Sequence, residues 1–148
     1  MIFNVTGLVP GVYRYDAIRH GLIPVGEEVS RAEIQRVIHD QTIAAGAAFC
    51  VFTTAVASRM AWKYPHPRAY KILLHNVGHL SQVFSMTAAA LGLGASLTGA
   101  FRDDDVEKIC RLDQADEFPT FFMACGAPLV QGDGMPHRYV APGRSSKQ

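Results

Sequence analysis

Two adjacent residues, Lys63 and Tyr64, have side chains that are suited to acid–base chemistry. They stand between a short apolar stretch and a turn that contains Pro65 and Pro67. An ammonium group beside a phenol favours the phenolate form, so the pair could act as a general base with an orienting cation. A surface lysine next to a tyrosine that packs into the fold is the alternative, and the local sequence leaves both interpretations open.

A second candidate group contains His75 and His79, with Gln82 one helical turn further along. A spacing of four places both imidazoles on one face of a helix, which suits two metal ligands. No glutamate adjoins His75 and no third ligand stands nearby, so we expect histidines that form hydrogen bonds in a buried helix. The sequence predicts no metal site.

The end of the chain is basic and contains Arg138, Arg144 and Lys147. Arg138 could bind a phosphate through charge-assisted hydrogen bonds, or these residues could form a solvated tail. Other phosphate and nucleophile motifs are absent from the sequence: there is no P-loop and no G-x-S-x-G. The glycines at Gly92 and Gly94 close a helix, whereas a dinucleotide fingerprint opens one.

The stretch that must position these groups runs from Arg68 to Phe101. Residues at steps of three and four predict one buried helical face, and small residues elsewhere predict a helix that is buried on several sides. The residues at this spacing are Leu73, Leu74, Val77, Leu80, Phe84, Thr87, Ala88 and Leu91. After the glycines, residues 95–101 predict a strand in which Gly99 admits a close neighbour, either a flat ligand or another backbone.

The remaining elements follow from turn, capping and alternation signals. They are a hairpin of 12–16 with 22–25, a helix after the capping box that starts at Ser30, a buried strand over 47–54, a short helix over 56–62, a helix over 103–110 and a strand over 120–124. About five strands and four helices, with hairpins and no regular β-α-β alternation, predict an α+β fold with a largely antiparallel sheet.

Composition narrows the class of protein. The chain has 148 residues, 49% of them apolar and 18% charged, which predicts a single packed domain. A net charge of +1 gives no reason to expect nucleic acid. No apolar run suggests a membrane span or signal peptide, and Cys50, Cys110 and Cys125 suit reduced thiols, so we expect a cytoplasmic protein. The mean hydropathy of +0.09 suggests an oligomer interface.

Several short motifs occur here in an order that is typical of one family. They are Gly7-Leu8-x-Pro10-Gly11-Val12-Tyr13-x-Tyr15-Asp16, Lys63-Tyr64, Arg68-x-Tyr70-Lys71, Gly78-His79-x-x-Gln82, Ala90-Leu91-Gly92-Leu93-Gly94, Gly99-x-Phe101-x-Asp103, Leu112-Asp113 and Gly126. With this order and spacing, the sequence resembles the FMN-dependent nitroreductase superfamily. Within it, the sequence is most similar to the SagB-type dehydrogenases, which oxidise azolines to azoles in ribosomal peptide pathways.

The resemblance implies one nitroreductase-like domain over residues 1–148, with a mainly antiparallel sheet, flanking helices and a central buried helix. It also implies a homodimer that binds FMN between its subunits. Lys63 and Tyr64 match the catalytic pair of the azoline oxidases. In that reaction a proton leaves carbon and a hydride goes to flavin N5, so Tyr64, assisted by Lys63, would be the base.

For the cofactor, the resemblance implies that Thr98, Gly99 and Ala100 run beside the isoalloxazine with N–H groups facing N5. Arg138 would meet the FMN phosphate. Relatives begin with an arginine- and serine-rich helical segment that clamps the phosphate and ribityl chain, and this chain contains no Arg-Arg-Ser motif. We expect a second polypeptide or the dimer mate to supply those contacts, or else a chain that no longer binds FMN.

Two functions from different classes are therefore expected. The first is an FMN-dependent oxidoreductase that acts on a peptide-derived or small-molecule intermediate, with azoline dehydrogenation favoured over nitro reduction by Lys63 and Tyr64. The second is a flavin-free descendant that serves as a partner subunit, a binding protein or a non-redox biosynthetic enzyme. Neither function involves nucleic acid or a membrane.

Overall fold

A computed structural model describes residues 1–128 of the chain. Within them the backbone forms five strands, four α-helices and one 3₁₀ turn. In chain order these are β1 (Val12–Asp16), β2 (Gly21–Gly26), α1 (Arg31–Val37), the 3₁₀ turn (Thr42–Ala44), β3 (Phe49–Val56), α2 (Ala57–Lys63), α3 (Ala69–Ala90), β4 (Gly94–Thr98), α4 (Asp103–Cys110) and β5 (Glu117–Gly126). The strands pair antiparallel throughout, so the predicted α+β class is confirmed.

β1 and β2 form a two-stranded hairpin that stands apart from the main sheet. Its turn is organised by Asp16, whose Oδ1 accepts hydrogen bonds from the backbone N–H groups of Ile18 and Arg19, at 2.9 and 3.2 Å. A short carboxylate that bonds its own backbone two residues on is a common way to fix such a turn. The predicted hairpin is thus confirmed, with β2 one residue longer at each end.

The main sheet has the strand order β3-β5-β4, so β5 is its central strand. Residues 122–126 of β5 are all buried. Because successive side chains point to opposite faces, both faces of this part of β5 are buried, which explains why its sequence is a continuous apolar run. The predicted strand over 120–124 lies at the centre of the observed one.

A β-bulge interrupts the pairing of β3 with β5. Thr53 pairs with Phe121 and Thr54 pairs with Pro119, so Thr120 is an extra residue on β5. The Thr120 hydroxyl donates to the Thr53 carbonyl at 3.0 Å and lies 2.8 Å from the Thr53 hydroxyl. The bulge lies near the end of β3, just before α2 begins. The observed β3 is shifted two residues toward the C-terminus relative to the predicted strand over 47–54.

The hydrophobic core lies between the main sheet and α1. Ser30 caps α1 as predicted, because its hydroxyl accepts a hydrogen bond from the Glu33 N–H at 3.1 Å. This cap sets the start of a helix that buries Ile34 completely, followed by the completely buried Ile38. The buried cluster consists of Phe3, Ile34, Ile38, Ala44, Ala47, Cys50, Phe122 and Ala124.

Helix α3 is more exposed than its sequence predicts. Its 22 residues make a rod about 33 Å long, and Gly92 follows it with a φ of +71°, as a left-handed C-cap requires. Only Leu73, Ser81 and Ala88 are buried along it. Within residues 1–128, α3 packs on β4 and β5 along one side and contacts α2, and its other sides are left uncovered.

Three large apolar residues of α3 recur at steps of three on one side of the helix, are left uncovered by residues 1–128, and are called here the exposed apolar face of α3. They are Leu80, Val83 and Met86, which are 54–62% exposed. Exposed apolar surface of this kind marks a site of contact with another molecule or segment. Within residues 1–128, no helix has the combination of length and apolar character that crossing a membrane requires.

Candidate active site

Lys63 and Tyr64 lie at the C-terminal end of α2, where the helix stops for a local reason. Tyr64 has φ −128° and ψ 82°, outside the helical region, while its N–H still donates to the Met60 carbonyl at 2.9 Å. The next residue is Pro65, whose ring disfavours a helical conformation in the residue before it. The proline therefore fixes the point at which these two side chains leave the helix.

The two side chains touch each other. Lys63 Nζ lies 5.4 Å from the centroid of the Tyr64 ring, above its face, which is cation–π geometry. Lys63 is exposed and Tyr64 is half-buried. The ammonium therefore contacts the ring face, and no hydrogen bond joins Nζ to the Tyr64 hydroxyl in this part of the chain.

A third side chain, the imidazole of His66, lies beside Tyr64, and the sequence analysis did not single it out. The His66 N–H donates to the Tyr64 carbonyl at 2.8 Å, and the two ring centroids are 6.4 Å apart. Pro65 and Pro67 flank His66 and restrict the chain to this tight turn. The Pro-x-Pro pattern was a signal that could have identified His66 as a neighbour of Tyr64.

One face of α2 borders a shallow cavity of about 580 Å³ that is open to solvent. It is lined by Ser58, Arg59, Trp62 and Lys63. Trp62 is the sole tryptophan of the chain and is 86% exposed. The sequence analysis did not single out Arg59 or Trp62, because neither is part of a recognisable motif.

The N-terminal end of α2 is held by Asp116, from the loop before β5. Its carbonyl accepts the Ala57 N–H at 2.7 Å, its Oδ1 accepts the Ser58 N–H at 2.7 Å, and its Oδ2 accepts the Ser58 hydroxyl. The hydrogen bonds from Ser58, helped by the nearby Arg59 cation, hold the pKa of the Asp116 carboxyl below its usual value. Sequence reasoning missed this cap, because its partners are 58 residues apart.

Thr98, Gly99 and Ala100 form a turn directly after β4. The Ala100 N–H donates to the Thr98 hydroxyl at 3.0 Å, and the Ala100 carbonyl accepts from the Gln41 side chain at 3.2 Å. Gly99 is exposed, and its N–H has no acceptor among the described residues. The predicted strand was too long here, because β4 ends at Thr98 and Gly99 lies in the turn.

The neighbours of Gly99 within the chain leave enough room for a side chain at this position. A Cβ added to Gly99 would lie 3.4 Å from the Phe121 ring, an ordinary contact, and this glycine does not have a positive φ. One side of Gly99 therefore rests on Phe121 of β5, and the other side is open. A flat ligand can approach the backbone closely on that open side.

The structure does not bring all the predicted site residues into direct contact. Lys63 and Tyr64 form one group, the turn 98–100 forms another, and β5 connects them, because Asp116 precedes β5 and Phe121 lies within it. Arg138 lies outside the described residues. The arrangement offers a phenol with a cation at one point and an exposed peptide N–H at another.

The histidines of α3 are not placed as the sequence predicted. His75 and His79 are both exposed, because they lie away from the side of α3 that packs on the sheet. The expectation of histidines in a buried helix is therefore wrong. Within the described part of the chain, no three His, Cys, Asp or Glu side chains are grouped so that they could hold a metal ion.

The fold and this site define an α+β protein with a small antiparallel sheet, a long flanking helix and an exposed glycine turn. Residues 11–127 match the nitroreductase family, and this chain belongs to that family. It is 28% identical, over 85% of its length, to a protein of Methanocaldococcus jannaschii assigned to the nitroreductases, and 25% identical, over 80%, to the trifolitoxin operon protein TfxC of Rhizobium leguminosarum bv. trifolii. The chain spans 62% and 33% of the lengths of these two relatives.

Solved structures agree on the fold. A structure from Anabaena variabilis that is assigned to the nitroreductases has a TM-score of 0.75 and 26% identity, and the match covers 82% of this chain and 25% of that one. A chain of the E. coli microcin synthetase McbBCD complex, with truncated pro-MccB17 bound, has a TM-score of 0.68 and 22% identity over 77% of this chain and 43% of that one. The nitroreductase-like fold that the resemblance implied is thus confirmed.

Members of the nitroreductase family generally use a flavin and often act as dimers. The turn after β4 fits one edge of such a planar ring. Gly99 offers an exposed N–H without an acceptor in the described residues, and neither Gly99 nor Ala100 has a side chain that would block the ring. Gly99 and Ala100 would therefore hold the ring edge, where a peptide N–H can donate to a flavin nitrogen.

Proposed function

We propose that this chain is an FMN-dependent oxidoreductase that dehydrogenates an azoline-type ring in a peptide-derived or small-molecule biosynthetic intermediate. The observation that carries the proposal is the Lys63–Tyr64 contact at the exposed end of α2, beside an open cavity, in a chain of the nitroreductase family. The similarity to the trifolitoxin operon protein TfxC supports a biosynthetic role.

In the proposed reaction the substrate loses one proton and one hydride. The phenolate of Tyr64 would remove the proton from a ring carbon, and the Lys63 ammonium over the ring would stabilise the negative charge that the base needs. FMN, when bound, supplies the acceptor for the hydride. Gly99 would donate its N–H to the flavin edge, with Thr98 and Ala100 shaping the turn, and Arg138 would bind the FMN phosphate.

A homodimer is part of this proposal. The exposed apolar face of α3 is left uncovered by residues 1–128, and exposed apolar surface of this kind marks sites of association. A second copy that packs against this face would bury it and would bring further groups to the flavin. The similarity to a chain of a multi-subunit synthetase supports association with other polypeptides as well.

The test starts with FMN titration of the purified chain, followed by incubation with a synthetic peptide that carries one thiazoline. We expect quenching of FMN fluorescence at micromolar protein and the appearance of thiazole absorbance. Tyr64→Phe should abolish thiazole formation while FMN binding is retained, because only the base is lost. Conversion by Tyr64→Phe at the wild-type rate would refute the role of the phenol.

Gly99→Ala provides a matched test of the flavin turn. The added Cβ would make only an ordinary contact with Phe121, so the fold should tolerate the change. We expect FMN binding close to that of the wild type at unchanged thermal stability, because the methyl group would lie against Phe121 and leave the open side of the turn free. A marked loss of FMN affinity would show that the ring does not approach Gly99 from that open side.

The second candidate function is a flavin-free partner subunit in a biosynthetic assembly. The observation that favours it is the likeness to a chain of the McbBCD complex, together with the uncovered surface of α3. A colourless protein that neither quenches FMN fluorescence nor converts the thiazoline peptide would favour this candidate over the first.

A further inference from the structure

Helix α2 carries the proposed catalytic pair, yet its own sequence provides little to hold it in place. It has seven residues and none of them is buried. A helix of one or two turns is unstable alone, and most helices gain their stability by packing an apolar face. The N-cap position of α2 is Val56, whose side chain cannot accept a hydrogen bond.

Asp116, which lies outside the helix, provides the capping hydrogen bonds that α2 itself lacks. Three hydrogen bonds join it to the first turn of α2: two from the backbone N–H groups of Ala57 and Ser58, and one from the Ser58 hydroxyl. These N–H groups are among those that a helix leaves without intrahelical partners. The negative carboxylate also lies at the positive end of the helix dipole.

The same loop leads directly into β5, which supports the other half of the candidate site. Five residues after Asp116, Phe121 of β5 lies against Gly99. A strand rises about 3.3 Å per residue, so the two contacts are on the order of 16 Å apart along one strand. Because β5 is the paired central strand, it is a rigid reference for both halves.

We propose that Asp116 is a positioning residue: by capping α2 from the start of β5, it fixes Lys63 and Tyr64 relative to the Gly99 turn. This inference rests on the proposed function, since positioning matters for chemistry only if Lys63 and Tyr64 perform it. The cap itself can be measured without any substrate.

The first measurement follows α2 directly, by amide hydrogen exchange and by the time-resolved fluorescence anisotropy of Trp62. Asp116→Ala should raise the exchange rates of the α2 amides by about tenfold and increase the local motion of Trp62, because the two capping bonds to the carboxylate are gone and only the bond to the backbone carbonyl remains. Ser58→Ala removes one of the three bonds and should have a smaller effect. Asp116→Asn keeps an oxygen that can accept the Ser58 N–H and should restore part of the protection.

The matched control is Asp104→Asn, which removes an exposed carboxylate in the first turn of α4 and should leave α2 unchanged. The melting temperature provides a second control. A positioning role predicts looser α2 amides in Asp116→Ala while the exchange of β5 amides stays as in the wild type. Equal loss of protection in α2 and β5 would show a general structural role and would overturn the proposal.

The second measurement uses FMN and the thiazoline peptide. Asp116→Ala should lower kcat by about tenfold with KM within about twofold, because the reacting groups are misplaced while substrate contacts remain. Asp116→Asn should recover part of kcat. Unchanged kcat in Asp116→Ala with loosened α2 amides would overturn the positioning role, whereas a wild-type chain with protected α2 amides and no turnover would refute the proposed function alone.

Discussion

Strand β5 and helix α3 are both rich in apolar residues, but the chain buries one and leaves much of the other uncovered. In β5 the last five residues are all buried, whereas only three of the 22 residues of α3 are. β5 is paired on both edges and covered by the core cluster, while α3 contacts the sheet along one side. The comparison teaches that the sheet and α1 form a packed core within residues 1–128, whereas most of the surface of α3 is not covered by those residues.

The comparison extends to the candidate site, whose two halves depend on different forces. The Gly99 turn follows a strand paired with β5 and rests on Phe121, so packing holds it. Lys63 and Tyr64 end a helix that has no buried residues and that contacts α3, and the hydrogen bonds of Asp116 hold its first turn. The half that contains the Gly99 turn should therefore be as stable as the core, and the half that contains Lys63 and Tyr64 should be sensitive to small polar changes.

The largest expected effect comes from removing a side chain in the packed core. Phe122 is completely buried and its ring lies 4.9 Å from the Phe52 ring. Phe122→Ala should lower the free energy of unfolding by about 3–5 kcal/mol, because it loses this contact and leaves a cavity. Urea denaturation followed by circular dichroism measures the change.

The control for this prediction is Ile18→Ala in the hairpin turn. Ile18 is 97% exposed, so its truncation should change the free energy of unfolding by less than about 0.5 kcal/mol. Similar losses in both variants would contradict the division between a packed core and an uncovered exterior.

The next effect concerns the exposed apolar face of α3. Val83 and Met86 are 59% and 62% exposed, and replacing both with aspartate would bury charges in any interface that covers them. We expect the dissociation constant of the dimer to rise by roughly 100-fold, while the monomer unfolds at a similar urea concentration. Sedimentation equilibrium measures the association.

Ala17→Asp adds one aspartate in the exposed hairpin turn, half the charge of the double variant, and should leave the association unchanged. A wild-type chain that remains monomeric at all accessible concentrations would contradict the interpretation of α3 as a subunit interface. A hetero-partner, and not a second copy, would then be needed to cover this face.

The sequence predicted those parts of the fold that depend on nearby residues. The hairpin, the Ser30 cap of α1, the glycine end of α3 and the bounds of α4 all follow from signals within a few positions. The burial of α3 was predicted wrongly, because periodicity indicates an apolar helix but does not say what covers it.

The candidate site was predicted in its residue types but not in its supports. Adjacent residues such as Lys63 and Tyr64 are visible in the sequence, and their contact follows from their adjacency. The capping of α2 by Asp116 and the contact of Phe121 with Gly99 join residues that are far apart in the chain. Only the pairing of β3 and β4 with β5 brings them together, and a single sequence does not reveal that pairing.

The smallest expected effect appears on acidification, which should loosen α2 before it loosens the core. The pKa of Asp116 is lowered in the folded chain, so its stabilisation of α2 is complete above the usual carboxyl value of about 3.9 and is lost as the pH falls through the folded value. Protonation of the Asp116 carboxyl weakens the hydrogen bonds from Ser58.

Hydrogen exchange between pH 5 and pH 2.5, corrected for the intrinsic exchange rate, should therefore show α2 amides losing protection before those of β5. Asp116→Asn should show α2 amides that are already partly unprotected at pH 5 and that change little on acidification, because this variant has no carboxyl to protonate. Parallel loss of protection in α2 and β5 in the wild type would mean that α2 is held by the core and not by Asp116. The distinction between the two halves of the site would then disappear, since both would depend on packing against the same sheet.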